Sequence, residues 1–429
     1  MKSFSTSSPP GPNPPGPSGL NPPLEEPLSN AQPTRLQVGH LPGFREPFFS
    51  LISILLLTLS PVLGGAPEFF TVFSAGEGGY RSIRIPSLVV TRLGTVLAFA
   101  EGRAASADQA GNDLILKRSR DHGRTWDPLI RVQEDGNHSL NNPTSVVEKH
   151  TGRVFLFYQR IPSHLKETSR ETATGFEGPN VYRNLLTWSD DDGLTWSPPR
   201  DISRTTKRET VATTVASGPG IGIQLERGPR AGRLIIPFNE GPYHRWNNYA
   251  VYSDDRGATW SAGTDVPGAL IAGSGVTEPR SQINEVQMVE LADGSVRLNS
   301  RPFAGAYVRK TAVSRDGGAT WTPVVDVPEL PDPSCNAGIL RHSFPTTGSP
   351  GRILFCGPFG NRRADGTVHI SHDDGASWAL RRKLWPGFFA YSVMARLPTG
   401  QVGCLFEADE YSRIIFAHFS VDWVESAPR

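Results

Sequence analysis

SRDHGRTW (Ser119–Trp126), SDDDGLTW (Ser189–Trp196), SDDRGATW (Ser253–Trp260), SRDGGATW (Ser314–Trp321) and SHDDGASW (Ser371–Trp378) are five copies of one motif, S-x-D-x-G-x-[TS]-W. Their starts lie 70, 64, 61 and 57 residues apart. Alternating, strand-like runs precede the copies, such as Asn248–Tyr252 and Gly366–Ile370. Each motif is therefore predicted to be a hairpin turn. The Asp carboxylate can accept N–H groups of the turn, the Gly can take positive φ, and the Trp is expected to pack on the hairpin's own sheet. Calcium binding by these acidic loops is the competing reading. Only one Asp per copy is fixed, which favours a structural role.

A period near 60 residues, several short strands per unit and almost no helical periodicity predict an all-β chain built as a β-propeller. The 363 residues from Pro67 to Arg429 hold about six such units. The expected fold is a six-bladed β-propeller with five of these hairpins, one blade lacking the motif.

The stretch before it differs in composition. Residues 1–46 are rich in Pro, Ser, Asn and Gly and are read as a disordered leader. Residues 47–66 contain the apolar run Phe48–Leu63 followed by Gly64-Gly65-Ala66, a pattern for export with cleavage near Ala66. An uncleaved anchor or a buried helix would also accommodate the run, but about 16 apolar residues with Pro61 near the end are short for a membrane span. The expected location is exported, secreted or periplasmic, with no membrane span in the mature form. Asn137-His-Ser139 fits a glycosylation sequon if the host glycosylates.

With 43 Lys+Arg against 42 Asp+Glu, the formal charge of +1 excludes a globally basic nucleic-acid binder. Three cysteines, Cys335, Cys356 and Cys404, allow one disulfide at most and have no metal-ligand spacing.

The five repeats resemble the Asp boxes of the sialidase (neuraminidase) family, and the segments between them carry the resemblance further. Ile83-Arg84-Ile85-Pro86 resembles the family's Arg-Ile-Pro motif and is followed by Leu97–Arg103 and Asp108. Gly218–Leu225 resembles a pocket-lining segment; Ile283–Gln287 and Asn299–Arg301 resemble the segments of a catalytic glutamate and a second arginine. Arg363–Thr367, Ala390–Ser392 and Leu405–Asp409 resemble the third-arginine, nucleophile and supporting-glutamate segments, so the similarity runs from about Phe70 to Trp423. Arg362 and Arg363 are adjacent; Arg363 is preferred for its 28-residue distance to Tyr391.

The resemblance implies an exo-α-sialidase that releases terminal sialic acid from glycoproteins, glycolipids or oligosaccharides without cofactor or metal. It implies Tyr391 as nucleophile, Glu285 as its base and Asp108 as acid and base, with Arg84, Arg301 and Arg363 on the substrate carboxylate. Arg103 joins the binding residues and Glu407 supports Arg84. The chemistry suits these residue types. A guanidinium fork pairs with a carboxylate bidentately, and a neutral tyrosine avoids the repulsion that a carboxylate nucleophile would meet from an anionic sugar. Two displacements give net retention.

Taken one at a time, these residues read as surface arginines, a core tyrosine and solvated glutamates; their joint order favours a site. The segment Phe238–Trp246 is a candidate for contact with the glycerol chain or the aglycone. A non-catalytic sialoglycan lectin, a trans-sialidase and a hydrolase of a related nonulosonic acid are the alternatives.

Overall fold

The computed structural model describes residues 65–243, 245–268, 283–303 and 305–427. All of them belong to one compact unit, Leu59–Arg429. The expected leader (1–46) and export segment (47–66) lie outside the described residues apart from Gly65 and Ala66. No helix among the described residues is long and apolar enough to cross a membrane.

The chain is all-β, and its helices are single turns such as Ser203–Thr206 and Val421–Glu425. Its strands form antiparallel meanders. The first runs Ser82–Val90, Val96–Arg103, Asn112–Ser119 and Ile130–Gln133; the second Ser139–Val147, Val154–Ile161, Arg183–Ser189 and Arg200–Asp201. The third runs Val215–Ser217, Leu234–Glu240, Asn247–Ser253 and Ser261–Ala262; the fourth Ile283–Glu290, Val296–Pro302, Val308–Ser314 and Val325–Pro331.

Two short strands, Gly220–Ile221 and Ile223–Gln224, add to the second and third meanders, and the other strands make a seven-stranded ladder that one long strand, Leu380–Arg396, divides. Up to Phe388 it pairs with Ala364–Ser371, completing a fifth meander with Gly338–Ser343 and Arg352–Gly357. From Phe389 it pairs with Val402–Ala408, starting a sixth that continues to Arg413–Phe419. The fourth strand of the sixth meander is Glu68–Ser74, from the opposite end of the described chain.

That swap explains the count of motifs. Each Asp box joins the third strand of its meander to the segment leading into the fourth. In the sixth meander those two strands are not consecutive in sequence, so no hairpin exists there to carry a box.

Period-two alternation sends the two faces of each sheet into different cores. In Val96–Arg103, Val96 and Ala98 pack with Leu405 and Phe416 of the sixth meander, while Leu97 and Phe99 pack with Val154 and Leu156 of the second. Further clusters join the second to the third, the third to the fourth, the fourth to the fifth and the fifth to the sixth.

The box hairpins are held as expected by their own side chains. Asp121 Oδ1 accepts from Ser119 Oγ at 2.8 Å and from the Thr125 N–H at 2.8 Å, and its Oδ2 accepts from Thr125 Oγ1 at 2.6 Å. Asp191, Asp255, Asp316 and Asp373 repeat this set. With its oxygens so occupied, the Asp acts as a turn lock.

One expectation needs correction. The box Trp does not pack on its own sheet alone: Trp126 meets Phe416, Trp196 meets Phe99 and Trp260 meets Phe155 and Phe157, all on the preceding meander. The turn is pressed so closely to that neighbour that a Cβ on Gly123 would lie 2.1 Å from Phe416, and one on Gly257 2.1 Å from Phe155. The Gly is thus required for space as well as for its positive φ.

Candidate active site

Four inner strands break their ladder register at the same end. The shifts fall between Arg84 and Ser87, Asn141 and Thr144, Ile283 and Val286, and Phe389 and Ser392. Such bulges re-aim side chains out of the alternating pattern. They place Arg84, Asn142, Glu285 and Tyr391 at irregular positions, and Ile85 and Asn142 take φ of 63° and 56°. For β-branched Ile85 that is a strained conformation. It turns the Ile85 N–H onto Glu407 Oε1 at 2.9 Å.

Glu407 is wholly buried and organises this side of the site. It receives Arg84 Nε and Nη2 at 3.0 Å each, a bidentate pair, and its Oε2 also accepts the Tyr391 N–H at 3.3 Å. A carboxylate so used fixes both the guanidinium and the backbone of the tyrosine.

The Tyr391 hydroxyl donates to Glu285 Oε1 at 2.7 Å. Arg301 Nη1 lies 2.8 Å from the same hydroxyl and 2.6 Å from Glu285 Oε2, while its Nε donates to Ser334 Oγ at 2.9 Å. Burial pushes the Tyr391 hydroxyl well above its ordinary pKa; Arg301, Arg363 and Arg84 pull against burial, and Glu285 adds to it. The phenol is therefore neutral and hydrogen-bonded to an acceptor.

The other two arginines face the same ring. The guanidinium carbons of Arg84 and Arg363 each lie 5.3 Å from the Tyr391 ring centroid. Arg363 donates to Tyr411 Oη at 2.8 Å and to the Ser334 carbonyl at 2.9 Å. Arg362 is exposed. Of the two adjacent arginines, Arg363 is thus the one that faces the Tyr391 ring.

Arg103 is buried between two carboxylates. Its Nε reaches Glu101 Oε2 at 2.8 Å and its Nη1 reaches Asp108 Oδ1 at 2.8 Å. Arg84 Nη1 stands 3.7 Å from the same Asp108 oxygen. Burial acts to raise the Asp108 carboxyl, but Arg103, Arg84 and Arg301 outweigh it and hold the group below its ordinary value. Its side chain is 66% exposed, on the open side of the cluster.

Sequence reasoning missed several neighbours. Glu101, two residues from Arg103 on the same strand face, was legible from period-two spacing. Tyr411, whose ring centroid lies 4.1 Å from the Arg84 guanidinium carbon, ends the single helical turn Asp409–Tyr411, and Ser334 lies in a loop; neither belongs to a motif. Glu167 is a further carboxyl in the field of Glu285 and Asp108. Burial first, then those two carboxylates, raise it to about 7 against the pull of Arg301. Phe238–Trp246 contributes Asn239, which bonds to Asn284 beside Glu285 at 3.3 Å.

A BNR repeat-like domain matches residues 94–404. The chain is 30% identical over 372 residues to sialidase-2 of Rattus norvegicus, covering 79% of this chain and 92% of that protein. The chain belongs to the sialidase family. Over 378 residues it is 34% identical to a sialidase of Micromonospora viridifaciens, covering 85% of this chain but only 56% of that longer protein. A solved Hadza microbial sialidase superimposes with a TM-score of 0.72 at 25% identity, over 83% of this chain and 69% of that one. Membership of the sialidase family makes this chain a glycoside hydrolase by descent, and Arg84, Arg301 and Arg363 stand around the Tyr391 ring and hydroxyl.

Proposed function

We propose that this chain is an exo-α-sialidase that cleaves terminal sialic acid from glycoconjugates with retention, through Tyr391. The observation that carries the reading is the contact set of Tyr391: Glu285 at 2.7 Å, Arg301 at 2.8 Å, and Arg84 and Arg363 beside the ring.

In this reading the three guanidinium groups receive the carboxylate of the sugar, which sets the anomeric carbon next to the phenol. As Tyr391 Oη attacks, its proton passes to Glu285 and Arg301 stabilises the charge on the oxygen. The glycosidic oxygen leaves with a proton from Asp108. In the second step Asp108 takes a proton from water, whose oxygen attacks the same carbon as its bond to Tyr391 breaks, and the released Tyr391 oxygen takes its proton back from Glu285.

The low Asp108 pKa of the free protein suits the second step. The first step needs the acid form, and substrate favours it: the sugar carboxylate offsets Arg84 and Arg301, while the aglycone displaces water from the exposed Asp108.

We further read the six meanders as blades of a six-bladed β-propeller. The clusters that tie each meander to the next, together with the strand Glu68–Ser74 completing the sixth, support that reading. The domain limits (a leader over 1–46, an export segment over 47–66, a catalytic domain over 67–429) and the exported location belong to the same proposal. Incubation with a fluorogenic sialoside tests the activity: release by the wild type and its loss in Tyr391→Phe are expected, and an inert wild type contradicts the proposal.

A further inference from the structure

Asp108 stands on a stretch that has no regular structure. Residues 104–111 connect Val96–Arg103 to Asn112–Ser119 without a strand or helix of their own, and the Asp108 side chain is exposed. Arg103 and Arg84 both meet its carboxyl at Oδ1. Contacts at one oxygen leave the rest of the residue to be held by other means.

Its main chain supplies them. The Asp108 carbonyl accepts Asn112 Nδ2 at 2.6 Å and Asn141 Nδ2 at 2.9 Å. The same two nitrogens also donate to Glu101, Asn112 to Oε2 at 3.3 Å and Asn141 to Oε1 at 3.2 Å. A carboxamide nitrogen carries two hydrogens, so each asparagine gives one to the carbonyl and one to the carboxylate. Exchanging the amide oxygen and nitrogen would set oxygen against oxygen at both contacts, which fixes the orientation of the two side chains.

Glu101, Asn112 and Asn141 are all buried, at 0%, 0% and 3% exposure. Glu101 ties them together: its Oε2 also accepts Arg103 Nε at 2.8 Å, and its Oε1 accepts the Asn142 N–H at 2.7 Å. Further along the same stretch, the Ala110 N–H donates to Asn112 Oδ1 at 3.3 Å and the Gly111 N–H to Ser139 Oγ at 3.0 Å. Glu101 and Asn112 belong to the first meander, Asn141 and Ser139 to the second. The Asp108 carbonyl is therefore gripped from two sheets, one bond from the Cα that carries the carboxyl.

We propose that Asn112 and Asn141 are positioning residues for the acid step: they clamp the Asp108 carbonyl, with Glu101 orienting their carboxamides, so that the carboxyl meets the glycosidic oxygen. The proposal rests on Asp108 as the proton donor, and both asparagines act through it.

The acid step has a signature that a purely structural role lacks. Lactose leaves as an alkoxide unless it is protonated, whereas an acidic phenol leaves readily without a proton. Steady-state kinetics of the full chain on 4-methylumbelliferyl sialoside and on sialyllactose, in the linkage isomer that the wild type cleaves faster, read the difference. The ratio kcat/KM covers the steps up to departure of the aglycone, so the later base role of Asp108 does not enter it. Asn141→Leu and Asn112→Leu should each lower kcat/KM about tenfold or more on sialyllactose and less than about threefold on the aryl sialoside. Retained aryl turnover also shows that a variant is folded. Asp108→Asn is the reference and should show the same split, larger. A wild type inert on both substrates, or Asp108→Asn losing both equally, would overturn the acid role of Asp108 and the proposal with it. If Asp108→Asn splits the substrates while both asparagine variants lose them equally, or lose neither, the proposal alone is overturned.

Discussion

Arg301 and Glu285 hold the Tyr391 hydroxyl from two sides: Arg301 Nη1 at 2.8 Å and Glu285 Oε1 at 2.7 Å, while the two holders also pair with each other at 2.6 Å. The tyrosine is thus fixed to both a proton acceptor and a cation that favours its anion. Removing the acceptor in Glu285→Gln keeps the shape and loses the base. We expect kcat to fall by about 10²- to 10⁴-fold with a smaller change in KM, measured on an aryl sialoside.

Glu407 is expected to act through what it holds. Glu407→Ala leaves partly buried Arg84 without its bidentate partner and frees the N–H groups of Ile85 and Tyr391. Breaking such a pair costs about 3–5 kcal/mol. Thermal denaturation should show a marked fall in melting temperature, and the residual folded enzyme should show a raised KM.

The two adjacent arginines give a clean contrast. Arg363 faces the Tyr391 ring and bonds to Tyr411 and Ser334, whereas Arg362 is exposed. Arg363→Ala should raise KM by about tenfold or more, and Arg362→Ala should stay within about twofold of wild type. Steady-state kinetics on the pair decides it; the reverse ranking would move the third clamp to Arg362.

Glu167 should shape the pH profile. With its carboxyl raised to about 7 by burial and by Glu285 and Asp108, it is neutral below that pH and anionic above it. Ionisation adds a negative charge beside Glu285 and Asp108 and opposes an anionic substrate, so kcat/KM should decline on the alkaline side with a midpoint near 7. Glu167→Gln should remove that limb and leave activity at pH 5.5 close to wild type.

The Asp boxes should set acid stability. Burial acts to raise Asp121, but Thr125 and Ser119 hydrogen bonds outweigh it and lower the carboxyl to about 2, and Asp191, Asp255, Asp316 and Asp373 are lowered by the same bonds. A carboxyl with a depressed folded pKa stabilises the fold fully above its unfolded value near 4. That contribution is lost as pH falls through the folded value. Unfolding followed by circular dichroism should therefore show stability declining from about pH 4 toward 2, and Asp121→Asn should reduce that slope.

Much of this architecture could be read in the sequence because it is local. The box motif contains its own hydrogen-bond partners within eight residues, so Asp121 and Thr125 announce the hairpin by themselves. Strands such as Asn247–Ser253 and Ala364–Ser371 follow from alternation. The contacts of Trp126 with Phe416 could not be read that way, since the two rings are brought together by meanders far apart in sequence. The candidate-site residues were named from motif order, but their poses depend on bulges at Arg84, Glu285 and Tyr391, which leave no compositional trace. Tyr411, on the single helical turn Asp409–Tyr411, and Ser334 and Glu167, in loops, were invisible because each reaches the site only through the fold.

The central claim is that Tyr391 forms the covalent bond to the sugar. The direct measurement is incubation with a 2,3-difluorinated sialic acid reagent, which slows release of the glycosyl enzyme, followed by peptide mass spectrometry. The account predicts one adduct, on the peptide containing Tyr391 and located at that residue, absent from Tyr391→Phe. An adduct on Glu285 or Asp108, or turnover of the sialoside by wild type with no adduct under saturating reagent, would contradict it.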